Sequence, residues 1–114
     1  AAVCITGAGA EGGIEYKNGA ELAVKHFGET INGRKIELVI ADGPNADASL
    51  SEYERLYDEG VRMFSSGYGS MADMGALSLA DELETLYMGM TWAPDVDCSG
   101  SDYFFRLGVI STSF

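Results

Sequence analysis

The feature that most constrains this chain is an alternation. Short apolar runs of strand length take turns with longer segments whose apolar residues recur every three or four positions. Val3-Cys4-Ile5-Thr6 reads as a short buried strand. Residues 14–29 read as a helix, with Tyr16, Ala20, Ala23, Val24 and Phe27 on one face. Residues 35–41 form a second strand, in which Ile36, Leu38 and Ile40 alternate with Glu37, Val39 and Ala41. A second helix is expected over residues 48–59, buried through Leu50, Tyr53, Leu56 and Tyr57 and stopped by Gly60. Residues 61–65 are a third strand, and residues 71–83 a third helix with Ala76, Leu77, Ala80 and Leu83 inward. Strands over residues 86–90 and 103–107 complete the series.

The order is therefore β-α-β-α-β-α-β-loop-β. Strands separated by helices imply a parallel sheet covered on both faces, with right-handed crossovers. In such a sheet ligands bind beyond the carboxyl ends of the strands. Three loops lie there: residues 7–13, 67–70 and 91–94.

Composition narrows the function. The 114 residues suffice for one domain with one core, and 46% are apolar, as a folded chain requires. The net charge of −11 is opposite to what a nucleic-acid surface needs, so no nucleic-acid partner is expected. No apolar run approaches the roughly 20 residues of a membrane-spanning helix, and the opening residues do not read as a signal peptide, an expectation that a mature secreted protein would meet equally. Cys4 and Cys98, with the single His26, make no metal site, and the geometry a disulfide demands argues against pairing them. His26, beside Phe27, reads as a surface or packed histidine rather than a catalytic one. Asp81, Glu82 and Glu84 read as a solvated acidic face.

Gly7-x-Gly9-x-x-Gly12 follows a strand and precedes a helix, the pattern that cradles a pyrophosphate in dinucleotide-binding domains. The surroundings disagree. Glu11 and Glu15 put negative charge where a phosphate would sit. The acid expected about 20 residues further on appears as Asp42, about ten residues late. The motif reads better as a turn passing close to a ligand or another strand, and no cofactor is expected. A nucleotide-binding enzyme domain stands as the alternative.

Two other loops carry the site. Ser70 opens the third helix, and Ser70-x-x-Asp73 has the spacing of a capping box. The same helix end, with its free N–H groups, attracts a carboxylate. Gly67 and Gly69 would let a ligand approach the backbone, with Tyr68 packed against it. Thr91-Trp92-Ala93-Pro94 follows the fourth strand. There Thr91 offers a hydroxyl, and Trp92, the single tryptophan, offers an apolar wall with one donor. Each residue has a structural reading too, as a helix cap or as core. Asp95 and Asp97 lie nearby, but the oxygen set is too sparse for a cation.

The ordered set of segments resembles the branched-chain amino-acid-binding proteins of ABC importers. Asn18-Gly19-Ala20-Glu21-Leu22-Ala23-Val24, Ile31-Asn32-Gly33-Arg34-Lys35-Ile36-Glu37-Leu38, Asp42, Gly67-Tyr68-Gly69-Ser70 and Tyr103-Phe104-Phe105-Arg106 carry the resemblance. It implies a type I periplasmic-binding lobe: a three-layer α/β sandwich around a mostly parallel five-stranded sheet of flavodoxin-like order 2-1-3-4-5. Residues 1–114 would be most of the N-terminal lobe, with the second lobe absent. The implied function is non-enzymatic. A small organic solute, such as an amino acid or a related carboxylate or amide, would be captured for a membrane permease, in the periplasm or outside the cell. The implied ligand-binding residues are Tyr68, Gly69, Ser70, Thr91, Trp92 and Ala93, and Arg106 would support the lobe. The face otherwise covered by the second lobe offers a surface for a homodimer. Trp92-Ala93 departs from the family's usual hydroxyl residue, which points away from an α-amino acid. A ligand-sensing lobe of a receptor or regulator shares the same fold.

Overall fold

The computed structural model describes residues 2–3, 6, 9–65, 70–94 and 100–108, with the backbone alone at 2, 3, 71 and 72. Ten elements follow in order: β1 (Ala2–Val3), α1 (Ala10–His26), β2 (Thr30–Ile31), β3 (Arg34–Lys35), β4 (Ala41–Asp42), α2 (Ala46–Asp58), β5 (Met63–Ser65), α3 (Ser70–Glu82), β6 (Leu86–Gly89) and β7 (Phe104–Arg106). The α/β alternation expected from the sequence is present. β1 pairs in parallel with β4, and β5, β6 and β7 form a parallel three-stranded sheet in that order. These are three of the four neighbour pairs that the order 2-1-3-4-5 requires. No pairing among the described residues joins β1 to β5.

The register explains the core. Phe64 lies beside Tyr87, and Tyr87 beside Phe104, so one face of the three strands carries a row of aromatic rings. Tyr53 of α2 stacks on Phe64, with centroids 3.9 Å apart, and tilts against Tyr87 at 5.8 Å. Leu56, Ala76 and Ala80 close the same core from α2 and α3. The small alanines let α3 approach α2 closely. The Tyr53 hydroxyl is hydrogen-bonded to the buried Thr85 hydroxyl, so the phenol enters the core with its polar end satisfied.

Helix ends follow local chemistry. Asn45 caps α2, its side chain accepting from the Ala48 N–H at 2.9 Å. Gly60, at φ +101°, closes α2 as expected: the Gly60 N–H donates to Tyr57 and the Val61 N–H to Leu56. The same closure ends α3 with Glu84, a residue bearing a side chain, at φ +50°.

Three expectations need correction. The first helix begins at Ala10, four residues early, and ends at His26. Gly12 and Gly13 are therefore helical rather than part of a loop, with Gly9 as the cap and the Gly13 N–H bonded to the Gly9 carbonyl at 3.1 Å. Ala10 and Glu11 favour the earlier start, Glu11 through the helix dipole. The expected apolar face of that helix is only partly covered. Tyr16, Ala20 and Val24 are half-buried, Ala23 is exposed, and Phe27 is 72% exposed against the His26 ring.

The expected strand over 35–41 is also divided. Its start joins an antiparallel hairpin, β2 with β3, turned by Asn32 and Gly33 at φ +51° and +76°. This is the Asn-Gly turn whose twist suits a two-residue hairpin, and it diverts the chain before the parallel pairing at Ala41.

Candidate functional site at the carboxyl ends of the strands

Ser70, the first residue of α3, faces the segment that leaves β6. Its hydroxyl accepts the Trp92 N–H at 3.3 Å. The expected capping box does not form from Asp73. That carboxylate is fully buried and accepts the Tyr87 hydroxyl at 2.9 Å. The signal was present in the sequence: Asp73 sits one turn before Ala76 and Leu77 and two before Ala80, on the inward stripe of the helix.

The 91–94 segment is held by a clamp. Arg106, at the end of β7, donates through Nη1 to the Thr91 carbonyl and through Nη2 to the Ala93 carbonyl at 2.8 Å. The Ala93 N–H donates to Thr91 Oγ1 at 3.2 Å. Thr91 is fully buried, while Trp92 is 46% exposed. The turn thus points the threonine inward and the indole outward. Arg106 supports the backbone, as the sequence reading holds, and its guanidinium is committed to two carbonyls. Gly108 lies under the indole, where an added Cβ would approach Trp92 Cδ1 at 3.8 Å.

Glycine is required beneath this edge at one position. A Cβ on Gly89 would stand 2.7 Å from Phe104 Cζ and 3.3 Å from the Asp73 carboxylate. The absent side chain lets β6 pass under the aromatic row and deliver Thr91 and Trp92 at the right height.

The neighbouring strand ends are tied in similar ways. Ser65, closing β5, donates to the Met88 carbonyl at 3.1 Å and is hydrogen-bonded to the Tyr16 hydroxyl, which fixes α1 to the sheet. Thr6 donates to Asp42 at the end of β4, through Oγ1 at 2.7 Å and N–H at 3.3 Å. Neither tie follows from local sequence, since each joins segments more than 20 residues apart. Among the expected site residues, Ser70, Thr91, Trp92 and Ala93 are brought together. Tyr68 and Gly69 lie outside the described residues, as do Cys4, Cys98, Asp95 and Asp97. His26 and the acidic Asp81, Glu82 and Glu84 lie on the surface, and Asp81 accepts the Ser101 hydroxyl at 2.6 Å.

The arrangement can bind. A helix N-terminus, a hydroxyl and an indole share one edge of a parallel sheet, backed by a clamped turn. A family model described as periplasmic binding protein matches residues 1–113. The chain belongs to the periplasmic binding protein family. Solved structures agree in fold. The chain is similar, at 24% identity and TM-score 0.87, to a solute-binding protein of an ABC transporter from Rhodopseudomonas palustris BisB5, solved with 3,4-dihydroxybenzoic acid. That likeness covers 95% of this chain and 30% of the other. An ABC-type branched-chain amino acid transporter from Rhodopseudomonas palustris CGA009 is similar at 21% identity and TM-score 0.87, over 96% of this chain and 31% of that one. A periplasmic binding protein from Burkholderia mallei is similar at 26% identity and TM-score 0.75, over 89% and 28%. No curated protein matches. The chain thus spans about 30% of the length of these structures. Within the family's architecture, the Ser70–Trp92 edge is the carboxyl side of a parallel lobe, where the fold places ligands.

Proposed function

We propose that this chain is one wall of a solute-binding cleft, taking a small organic molecule that carries a carboxylate or amide beside an apolar or aromatic body. The observation that carries the reading is the meeting of Ser70, at the amino end of α3, with the outward-turned Trp92. A carboxylate accepts from backbone N–H groups at a helix amino terminus and from the serine hydroxyl, and the indole covers the rest of the solute. Ala93 extends this surface, Tyr68 and Gly69 directly precede Ser70 in the sequence, and Thr91 acts from behind by shaping the turn. Binding to 3,4-dihydroxybenzoic acid in one similar protein favours a planar acid over an α-amino acid. So does Trp92, which presents area for stacking. The reading is of a binding protein rather than an enzyme, working outside the cytoplasm and delivering its solute to a membrane permease.

A single lobe buries only part of a ligand, so the affinity of this chain is expected in the millimolar range, where about −4 kcal/mol of binding free energy suffices. The test is a thermal-shift screen of benzoates, aliphatic acids, α-amino acids and NAD. A bound ligand raises the midpoint. Benzoates are expected to raise it in the parent and less in Ser70→Ala. Stabilisation by NAD alone would instead favour a nucleotide domain.

A further inference from the structure

The end of β7 meets Trp92 twice. Arg106 donates to the carbonyls of Thr91 and Ala93, the residues on either side of the tryptophan, and so straddles it. Two residues further on, the Gly108 backbone lies against the indole: a Cβ there would stand 3.8 Å from Trp92 Cδ1 and 3.9 Å from Nε1. One short stretch of chain thus holds the tryptophan by its backbone and supports its ring.

Ser70, on the other side of the edge, is anchored to the next strand. Asp73 lies one turn after Ser70, is fully buried, and accepts the Tyr87 hydroxyl at 2.9 Å, which ties the first turn of α3 to β6. β6 and β7 are paired, with Gly89 beside Arg106. Both partners of the Ser70–Trp92 hydrogen bond are therefore fastened from behind to one pair of strands. The fastening of Trp92 requires arginine. A guanidinium is a planar fork that reaches two carbonyls in fixed geometry, whereas an ammonium is a single mobile charge. Holding the ring matters to a flat ligand above all, because a side chain that must be frozen on binding weakens affinity several-fold.

We propose that Arg106 is the positioning residue of the solute edge. It fixes the 91–93 turn so that the Trp92 ring stands ready for a planar ligand, and it thereby sets the preference for an aromatic acid over a branched aliphatic one. Arg106 acts through the turn and not on the solute. The preference rests on the solute reading above, while the hold on Trp92 rests on the geometry of the chain alone.

The test uses Arg106→Lys, which keeps the charge and loses the fork. Thr91→Val serves as a second variant should the first fail to fold, since it loosens the same turn by removing the acceptor of the Ala93 N–H. Without solute, amide exchange at Trp92 and Ala93 is expected to quicken at least about fivefold, with exchange at Leu56 and Ala80 in the core unchanged. The anisotropy of Trp92 emission should fall. Unchanged exchange at Trp92 and Ala93 would overturn the proposal. An equal rise at Leu56 and Ala80 would overturn it too, by showing that Arg106 holds the whole lobe. With solute, the variants are expected to bind 3,4-dihydroxybenzoate about fivefold more weakly than the parent, and leucine less than about twofold more weakly. An equal loss for both ligands would overturn the role in preference. Failure of the parent to bind either acid would refute the solute reading alone, and the exchange at Trp92 and Ala93 would still decide whether Arg106 positions the turn.

Discussion

The two halves of the molecule bury their side chains very differently. From Ala46 onward, α2 and α3 press a row of rings and alanines onto β5, β6 and β7, and Tyr53, Leu56, Phe64, Ala76, Ala80 and Tyr87 are each less than 5% exposed. Before Ala46, among the described residues, only Gly13, Ala41 and Gly43 are buried, while Ile14, Leu22, Phe27 and Ile31 remain exposed. Both halves have helices of good length and strands of similar sequence. The difference lies in the receiving surface. α2 and α3 meet the three paired strands, and α2 reaches β1 and β4 as well, whereas α1, among the described residues, meets β1 and the Tyr16–Ser65 tie. An amphipathic pattern produces a core only where a wide enough sheet accepts it.

Substitutions sharpen that contrast. Leu56→Ala is expected to cost about 2–5 kcal/mol in denaturant unfolding, since Leu56 is wholly buried, while Leu22→Ala should change stability by less than about 0.5 kcal/mol. Equal losses would show that α1 is packed as tightly as α2. Gly89→Ala should cost about 1–3 kcal/mol by pushing its Cβ into the Phe104 ring, and the Trp92 emission should shift as the strand moves. Tyr53→Phe removes one partner of a buried hydrogen bond and leaves the Thr85 hydroxyl behind, for a loss of about 1–3 kcal/mol. Glu84→Gly relieves a side chain at positive φ and should stabilise by about 1 kcal/mol.

The smallest expected effect is a pH dependence. Burial pushes the Tyr53 phenol above its ordinary value of 10.0, and the Thr85 hydrogen bond opposes this in part. The folded state therefore holds this proton more tightly than the unfolded state. Its contribution is complete below pH 10 and is lost as pH rises through the folded value. Unfolding midpoints measured above pH 10 should fall with pH, and Tyr53→Phe should flatten that fall. An unchanged slope in the variant would place the titration elsewhere.

Much of this was legible in the sequence because the signals were local. The stripe Leu50, Tyr53, Leu56 and Tyr57 marked α2, Gly60 marked its end, and Ala76, Leu77 and Ala80 marked the buried face of α3. Ser70 and Trp92 could be chosen because a parallel sheet puts both loops on one edge. Asp73 was misread because capping-box spacing and inward spacing coincide, and only the position of Tyr87 separates them. The start of α1 was misread because a glycine pair suggests a loop, whereas the structure continues the helix through Gly12 and Gly13. The division of residues 35–41 turned on Asn32-Gly33, whose hairpin geometry competes with a continuous strand.

The central claim is that the Ser70–Trp92 edge takes a small organic acid. Trp92 is the chain's single tryptophan, and its backbone N–H donates to Ser70, so its fluorescence reports on that edge. The deciding measurement is a titration of 3,4-dihydroxybenzoate and leucine against the chain, followed by Trp92 emission with correction for absorbance, in parent and Ser70→Ala. The account predicts a saturable change with the aromatic acid, a weaker one with leucine, and at least about a tenfold loss of affinity in Ser70→Ala, the worth of one charge-assisted hydrogen bond. No saturable change with either acid, or the same affinity in Ser70→Ala, would contradict it.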